Sequence, residues 1–281
     1  MAEPAAIGID VGGTKIAVGA VFGDGRLEGR AQVDTARATL DELAAVSRRV
    51  ADQLAEREQA HVVGVGVGIC ELVDNEGQIR SAESVSWNTA DLEEALGHLG
   101  PVAVDADVRT AGIAEARFGA GRPYSSVLYL TVGTGISHCL VQGGEPFRGA
   151  HGYAQLSGSA ALRFRCPHCG ETVRLSAEDV ASGAALARGA PGDEAAVTLG
   201  SVLALLVNVL DPEAVVVGGG LGAAQGVYWD ALNRATREHI WSRHVRDLPL
   251  LQAGLGADSG VIGAGWAALR AAERELATRG G

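Results

Sequence analysis

The chain is short of positive charge. Its 23 Lys and Arg stand against 34 Asp and Glu, for a net charge of −11. A general nucleic-acid binder needs a basic face against phosphates, so the charge disfavours that class of partner and leaves room for a local basic pocket for an anionic ligand. Cysteine is scarce as well. Of Cys70, Cys139, Cys166 and Cys169 only the last two lie close together, which is no disulfide framework of a secreted protein. No window approaches the roughly 20 uninterrupted apolar residues of a membrane span. The opening MAEPAA lacks the basic region and apolar run of a signal peptide. A soluble, cytoplasmic protein with no membrane partner is expected. Proline is rare too, 8 against 40 glycines, as in an ordered chain with many tight turns.

What is present is ample core. With 281 residues and 47% hydrophobic side chains, the chain can fill two modest lobes or one large α/β domain. "AIGIDVGGTKIAVGAVF" reads as strand, glycine turn, strand. Leu40, Leu43, Val46, Val50 and Leu54 recur at helical spacing, predicting a helix over 39–60 with Asp41 and Glu42 near its N-terminus. "HVVGVGVGI" (61–69) reads as a buried strand, and "LVDNEGQIRSA" (72–82) as a hairpin turning at Asn75-Glu76-Gly77. "VAVDAD" (102–107) is a further strand, followed by a helix over 108–119. A second cycle opens with "SSVLYLTVGTGISHCLVQGG" (125–144), in which Thr131-Val132-Gly133-Thr134-Gly135 echoes the first turn, as a duplicated hairpin unit would. Helices around 193–210, within 225–245 and from about 259 to 277, with a strand over 214–220, complete the pattern. The alternation predicts an α/β fold. Its two lobes are expected at 1–110 and 111–281, with the last helix crossing back onto the first.

The glycine turns carry chemistry beyond a hairpin's needs. Bare backbone N–H groups at Gly12 and Gly13 let an anion approach closely, Thr14 adds a hydroxyl and Lys15 a charge. Asp10 suits the ligand shell of a hydrated Mg²⁺. Thr131, Gly133, Thr134 and Gly135 supply a second such turn, and Gly218-Gly219-Gly220 a third, suited to a nucleotide's base or sugar. Neither the P-loop nor the dinucleotide fingerprint is present.

With "IGIDVGGTKIAVGAV", "VDADVRTAGIAEARFGAG", "LTVGTGISHCLVQGG", "NVLDPEAVVVGGGLG" and "GADSGVIGAGWAAL", the chain resembles the ROK family of sugar kinases. These motifs span nearly its whole length. The resemblance implies a two-lobed actin-like ATPase (ribonuclease H-like) fold with a cleft between the lobes. It also implies ATP and Mg²⁺ as cofactors, a small polyol substrate and a homodimer or homotetramer. No helix-turn-helix precedes the first strand, which points to the kinase branch and not the repressors. Asp107 aligns with the family's general base; the residue-level alternative is a cap of the helix that follows, and Asp105 offers a second carboxylate.

The acceptor side departs from the family. Ala106 and Arg109 replace the usual asparagines, so Arg109 is either a substrate contact or a plain helix residue. Leu156 and Ser159 replace a sugar-binding Glu and a His that also binds zinc, and His151 is the nearby histidine that could compensate. Glu178 matches the family's last substrate-contacting Glu, with an ordinary first-turn acid as the alternative. Glu71 and Ser84 stand where other acceptor-side residues are usual and could replace their hydrogen bonds. In the cysteine motif Ser176 stands for the third cysteine, leaving Cys166, Cys169 and His168. Structural zinc takes four ligands, so either a knuckle completed by His151 or a partner subunit, or a reduced thiol pair, is expected. Two functions fit: a kinase with an acceptor other than glucose, glucokinase in the strict sense included as its variant, or a non-catalytic sugar and nucleotide sensor.

Overall fold

The computed structural model describes residues 3–58 and 60–279. Met1, Ala2, Gln59, Gly280 and Gly281, which the expected lobes and first helix include, lie outside the described residues. The first half runs β1 (Pro4–Val11), β2 (Lys15–Phe22), β3 (Leu27–Asp34), α1 (Leu40–Glu58), β4 (His61–Ile69), α2 (Thr89–Leu96), β5 (Val102–Ala106) and α3 (Asp107–Arg117). The second opens with β6 (Ser126–Val132), β7 (Ile136–Gln142) and β8 (Glu145–Pro146). A ribbon of β9 (Leu162–Arg165) and β10 (Thr172–Leu175) follows, then α4 (Ala177–Ala181), α5 (Gly183–Ala187) and α6 (Gly192–Leu210). The chain ends with β11 (Ala214–Gly218), α7 (Gly219–Gly222), α8 (Val227–His239), β12 (Leu250–Gln252) and α9 (Ser259–Arg279).

Two five-stranded sheets share one plan. The first is ordered β3-β2-β1-β4-β5 and the second β12-β11-β6-β7-β8. Each is built on an antiparallel hairpin, β1/β2 or β6/β7, extended on one side by two parallel strands. The echo between the two glycine turns is therefore an echo of architecture. Helix α1 lays Leu43, Val46, Val50 and Leu54 into the core of the first sheet. Helix α6 buries Ala195, Leu199, Leu203 and Val207 against the second. By length and composition α6 alone among the described helices is apolar enough to cross a membrane, but Asp193, Glu194, Ser201 and Asn208 interrupt it and it packs Leu199 and Leu203 into the second core, as a core helix does.

Helix α9 packs on β1, β4 and β2 of the first sheet and on α3. Glycine makes that contact possible. Gly8 and Gly66 are paired across β1 and β4. A Cβ on either would sit 2.1 Å from the Val261 carbonyl oxygen or 1.8 Å from that of Ala264, so the helix backbone rests directly on the sheet. The strand expected over 214–220 stops at Gly218, because Gly219 at φ +80° turns the chain into the short α7.

Candidate active site

Between the sheets lies a cleft of about 990 Å³. Gly12, Gly13, Thr14 and Lys15 line one side of it, and Thr131, Gly133, Thr134 and Gly135 another. The first turn is held by the Gly12 N–H donating to the Lys15 carbonyl (3.1 Å) and the Thr35 hydroxyl donating to the Gly12 carbonyl (2.8 Å). The second is held by the Gly183 N–H on the Gly133 carbonyl (2.7 Å). Gly220 joins the cleft, Gly219 lines a smaller cavity beside it and Gly218 ends β11. Arg188 adds a cation to the cleft wall that the sequence motifs did not single out.

The smaller cavity, about 130 Å³, holds Asp10 and Asp107 together with Tyr129, Thr131, Ser259 and Gly260. Asp10 sits near the end of β1 and Asp107 begins α3. Ala106, not Asp107, occupies the capping position of α3. The Asp107 carboxylate accepts the Val108 N–H at 2.6 Å and faces both cavities. Burial pushes the Asp107 carboxyl up to about 6; the Val108 N–H and the Arg109 charge hold it down only in part. Burial and the neighbouring Asp107 raise Asp10 to about 7. A Cβ on Gly260, in the first turn of α9, would lie 2.4 Å from the Asp10 carboxyl carbon, so any side chain there would push that carboxylate aside. Tyr129 and Gly260 were not singled out as site residues, although each lies within a quoted motif, "SSVLYLTVGTG" and "GADSGVIGAGW". Asp10 and Asp107 are half-buried with raised pKa values, and among the described residues no lysine or arginine is bonded to either; the Asp10 carboxylate fits the ligand shell of a hydrated divalent cation.

The acceptor-side residues divide. Glu178 lines the cleft, accepting the Ile136 N–H (2.7 Å) and the Ser159 hydroxyl (2.9 Å). Glu71 lines it too, but its carboxylate is committed to the loop 81–85. It accepts the Ser81 hydroxyl and the N–H groups of Glu83, Ser84 and Val85. Burial pushes its pKa upward, and these bonds together hold it below the ordinary value. Ser84 and Leu156 are exposed in the same wall.

Arg109 is not in the cleft. It is buried at 1% exposure, ion-paired to Asp105 at 2.5 Å and donating to Gln155 (3.1 Å) and the carbonyls of Val73 (2.8 Å) and Gly152. Four of its five N–H donors are thus held inside the protein, and the group does not line the cleft. Asp105 is held by Arg109 and by Arg148 (2.5 Å), away from the cleft lining. His151 is exposed, tilted against Tyr153 at 6.5 Å between ring centroids, and does not line the cleft either.

Cys166, His168 and Cys169 lie in the turn joining β9 to β10. Hydrogen bonds from Cys169 and His168 lower the Cys166 thiol's pKa. Among the described residues no three His, Cys, Asp or Glu side chains gather into a metal-holding group. The donors present do not fit a four-ligand structural zinc within this chain.

The ROK family model matches residues 6–197 and 190–271. A glucokinase of Halalkalibacterium halodurans is 27% identical over 92% of this chain and 93% of its own length. The N-acetylgalactosamine kinase AgaK of a Shewanella species is 28% identical over 92% and 94%. The structure of a ROK family glucokinase from Streptomyces griseus, in complex with glucose and AMPPNP, superposes with a TM-score of 0.78 at 26% identity. It covers 95% of this chain and 99% of that one. With the family model matched over most of the sequence and the two-lobed fold shared throughout, the chain belongs to the ROK family.

Proposed function

We propose that the protein is an ATP-dependent kinase that phosphorylates a hydroxyl of a sugar, amino sugar or cyclitol, with Asp107 as general base. The observation that carries the reading is the position of Asp107, facing both the phosphate-loop cleft and the cavity it shares with Asp10. The two glycine turns present N–H groups, the Thr14 and Thr134 hydroxyls and the Lys15 ammonium to the nucleotide's phosphates. A carboxylate that titrates near 6 is ionised at neutral pH yet basic enough to take the acceptor's proton. As that proton moves to Asp107, the acceptor oxygen bonds to the γ-phosphorus and the bond to the β–γ bridging oxygen breaks, releasing ADP. Asp10 would hold a hydrated Mg²⁺, which when bound neutralises phosphate charge, and Asp107 stays free as the base. Closure of the lobes keeps water from the transferable group.

The half-exposed Leu156, at 46% in the cleft wall, supports an acceptor other than glucose. An apolar side chain there gives no partner to a hydroxyl, and an unpaired hydroxyl is costly. Glu178 and Ser84 are the acceptor contacts proposed. The lobe limits proposed are 1–110 and 111–281, with α9 on the first lobe. A cytoplasmic homo-oligomer is also proposed, with Val197, Leu205 and Val209 exposed along one ridge of α6 facing a second copy.

The test is ADP release with Mg·ATP against glucose, mannose, glucosamine, N-acetylated sugars and cyclitols, with Asp107→Asn alongside. Turnover on one acceptor, lost in the variant, is expected. ATP binding without turnover on any acceptor would turn the assignment to a sensor.

A further inference from the structure

A second cavity, of about 430 Å³, shares no lining residue with the cleft or with the Asp10–Asp107 cavity. It lies where four elements meet: β5 of the first sheet, the β7–β8 turn of the second, and the two helices α3 and α9 that pack between them. Its volume is that of a small-molecule site.

Its charge is the reverse of the chain's. Arg117, Arg148, Arg270 and Arg274 line it against two carboxylates, Asp105 and Glu145, in a protein of net charge −11. Arg148 is committed to Asp105. Arg274 reaches Glu145 only at 3.6 Å, and Arg270 pairs with Glu273 at 2.7 Å; all four of these side chains are exposed. Such surface pairs are weak and readily exchanged for a better anion. The Arg117 guanidinium lies 4.0 Å over the Trp266 ring and makes no ion pair with a described carboxylate. Guanidinium forks match a phosphate's oxygens, and an indole offers a flat wall for the rest of a small molecule.

We propose that this cavity is a regulatory site for a phosphate monoester of a small polyol, the chemical class that the proposed kinase reaction produces. The binding claim stands apart from that reaction; the link to the product rests on it. Two routes lead from the cavity to the cleft. Asp105 in its wall is ion-paired to Arg109, which donates to Gln155 in the cleft lining. Helix α9 carries Trp266 and Arg270 in the cavity and, at its start, Gly260 against the Asp10 carboxylate. A ligand that ties the β7–β8 turn to α9 therefore bridges the two sheets and biases their relative position.

Tryptophan emission reads binding without turnover. Trp266 lies in the cavity, and Trp87, Trp229 and Trp241 do not line it. The full chain is titrated at constant ionic strength with glucose 6-phosphate, inorganic phosphate and glucose. A saturable change with glucose 6-phosphate but not glucose is expected, with Kd raised at least tenfold in Arg117→Ala/Arg270→Ala and in Arg270→Glu, and with the signal abolished in Trp266→Phe. An equal response to inorganic phosphate would support the anion site and assign it to the free ion. No saturable change, or one that survives both arginine variants, overturns the site. In active enzyme, glucose 6-phosphate should alter the rate of the wild type and not of the arginine variants; binding without that difference overturns the regulatory role.

Discussion

Asp105 and Asp107 lie two residues apart at the same strand–helix junction, and the fold treats them in opposite ways. Asp105, the last but one residue of β5, is buried between two arginines and faces the arginine-lined cavity. Asp107, the first residue of α3, has no ion pair among the described residues and faces Asp10 and the glycine turns of the cleft. The difference is one of supply. Arg109 lies four residues on from Asp105, within one helical turn, so its side chain reaches back to that carboxylate, not to the one that opens the helix. A carboxylate fixed by two guanidiniums is a strut. One raised by burial is free to take a proton.

The largest effect expected from breaking this contrast is catalytic. Asp107→Asn should lower kcat by about 10²–10⁴-fold while ATP binding, measured by calorimetry, persists. An equal loss in Asp105→Asn would assign the base to the wrong carboxylate. Next is stability. Arg109→Met leaves Asp105 buried with only Arg148, and denaturant unfolding should show a loss of about 3–5 kcal/mol, the usual cost of breaking a buried pair. A variant as stable as the wild type would show that Arg109 is no strut.

The effect of pH sharpens the contrast. Asp107 and Asp10, at about 6 and about 7 against an ordinary 3.8, keep protons in the folded protein that the unfolded chain releases. Stability of the metal-free protein should therefore fall as pH rises across that window, which urea midpoints can follow. The ionised base has the opposite requirement, so kcat/KM should rise through about pH 6 and level off, its apparent pKa belonging to the pair. The smallest effect is local. Gly260→Ala should crowd the Asp10 carboxylate and weaken Mg²⁺ dependence of the rate, with a shift in melting temperature of a few degrees at most.

The glycine turns that line the cleft were legible because each is built from contiguous chain. A strand, two glycines and a strand define a turn and the N–H groups it exposes, and Asp10 to Lys15 needs nothing from elsewhere. Helix α2 was overlooked although Asn88 and Asp91 form a capping box. The acceptor side was harder. Whether Glu71 meets a substrate or ties down its own loop depends on residues ten to fourteen positions away. Arg109 reads as a helix residue until α3 is seen packed against the 152–155 segment. Tyr129 and Gly260 come to Asp10 from separate strands and helices. No local pattern in the sequence encodes that meeting.

The place of Lys15 has a practical consequence. It is the single lysine in the sequence, and it is exposed in the wall of the large cleft proposed to take the nucleotide. Apart from the chain's own α-amine, the molecule's whole complement of primary amines is one group in its working site. Once the α-amine is blocked, an amine-directed fluorophore or cross-linker will therefore report on that cleft, and the extent of labelling becomes a gauge of how much of the population has the turn at Lys15 covered.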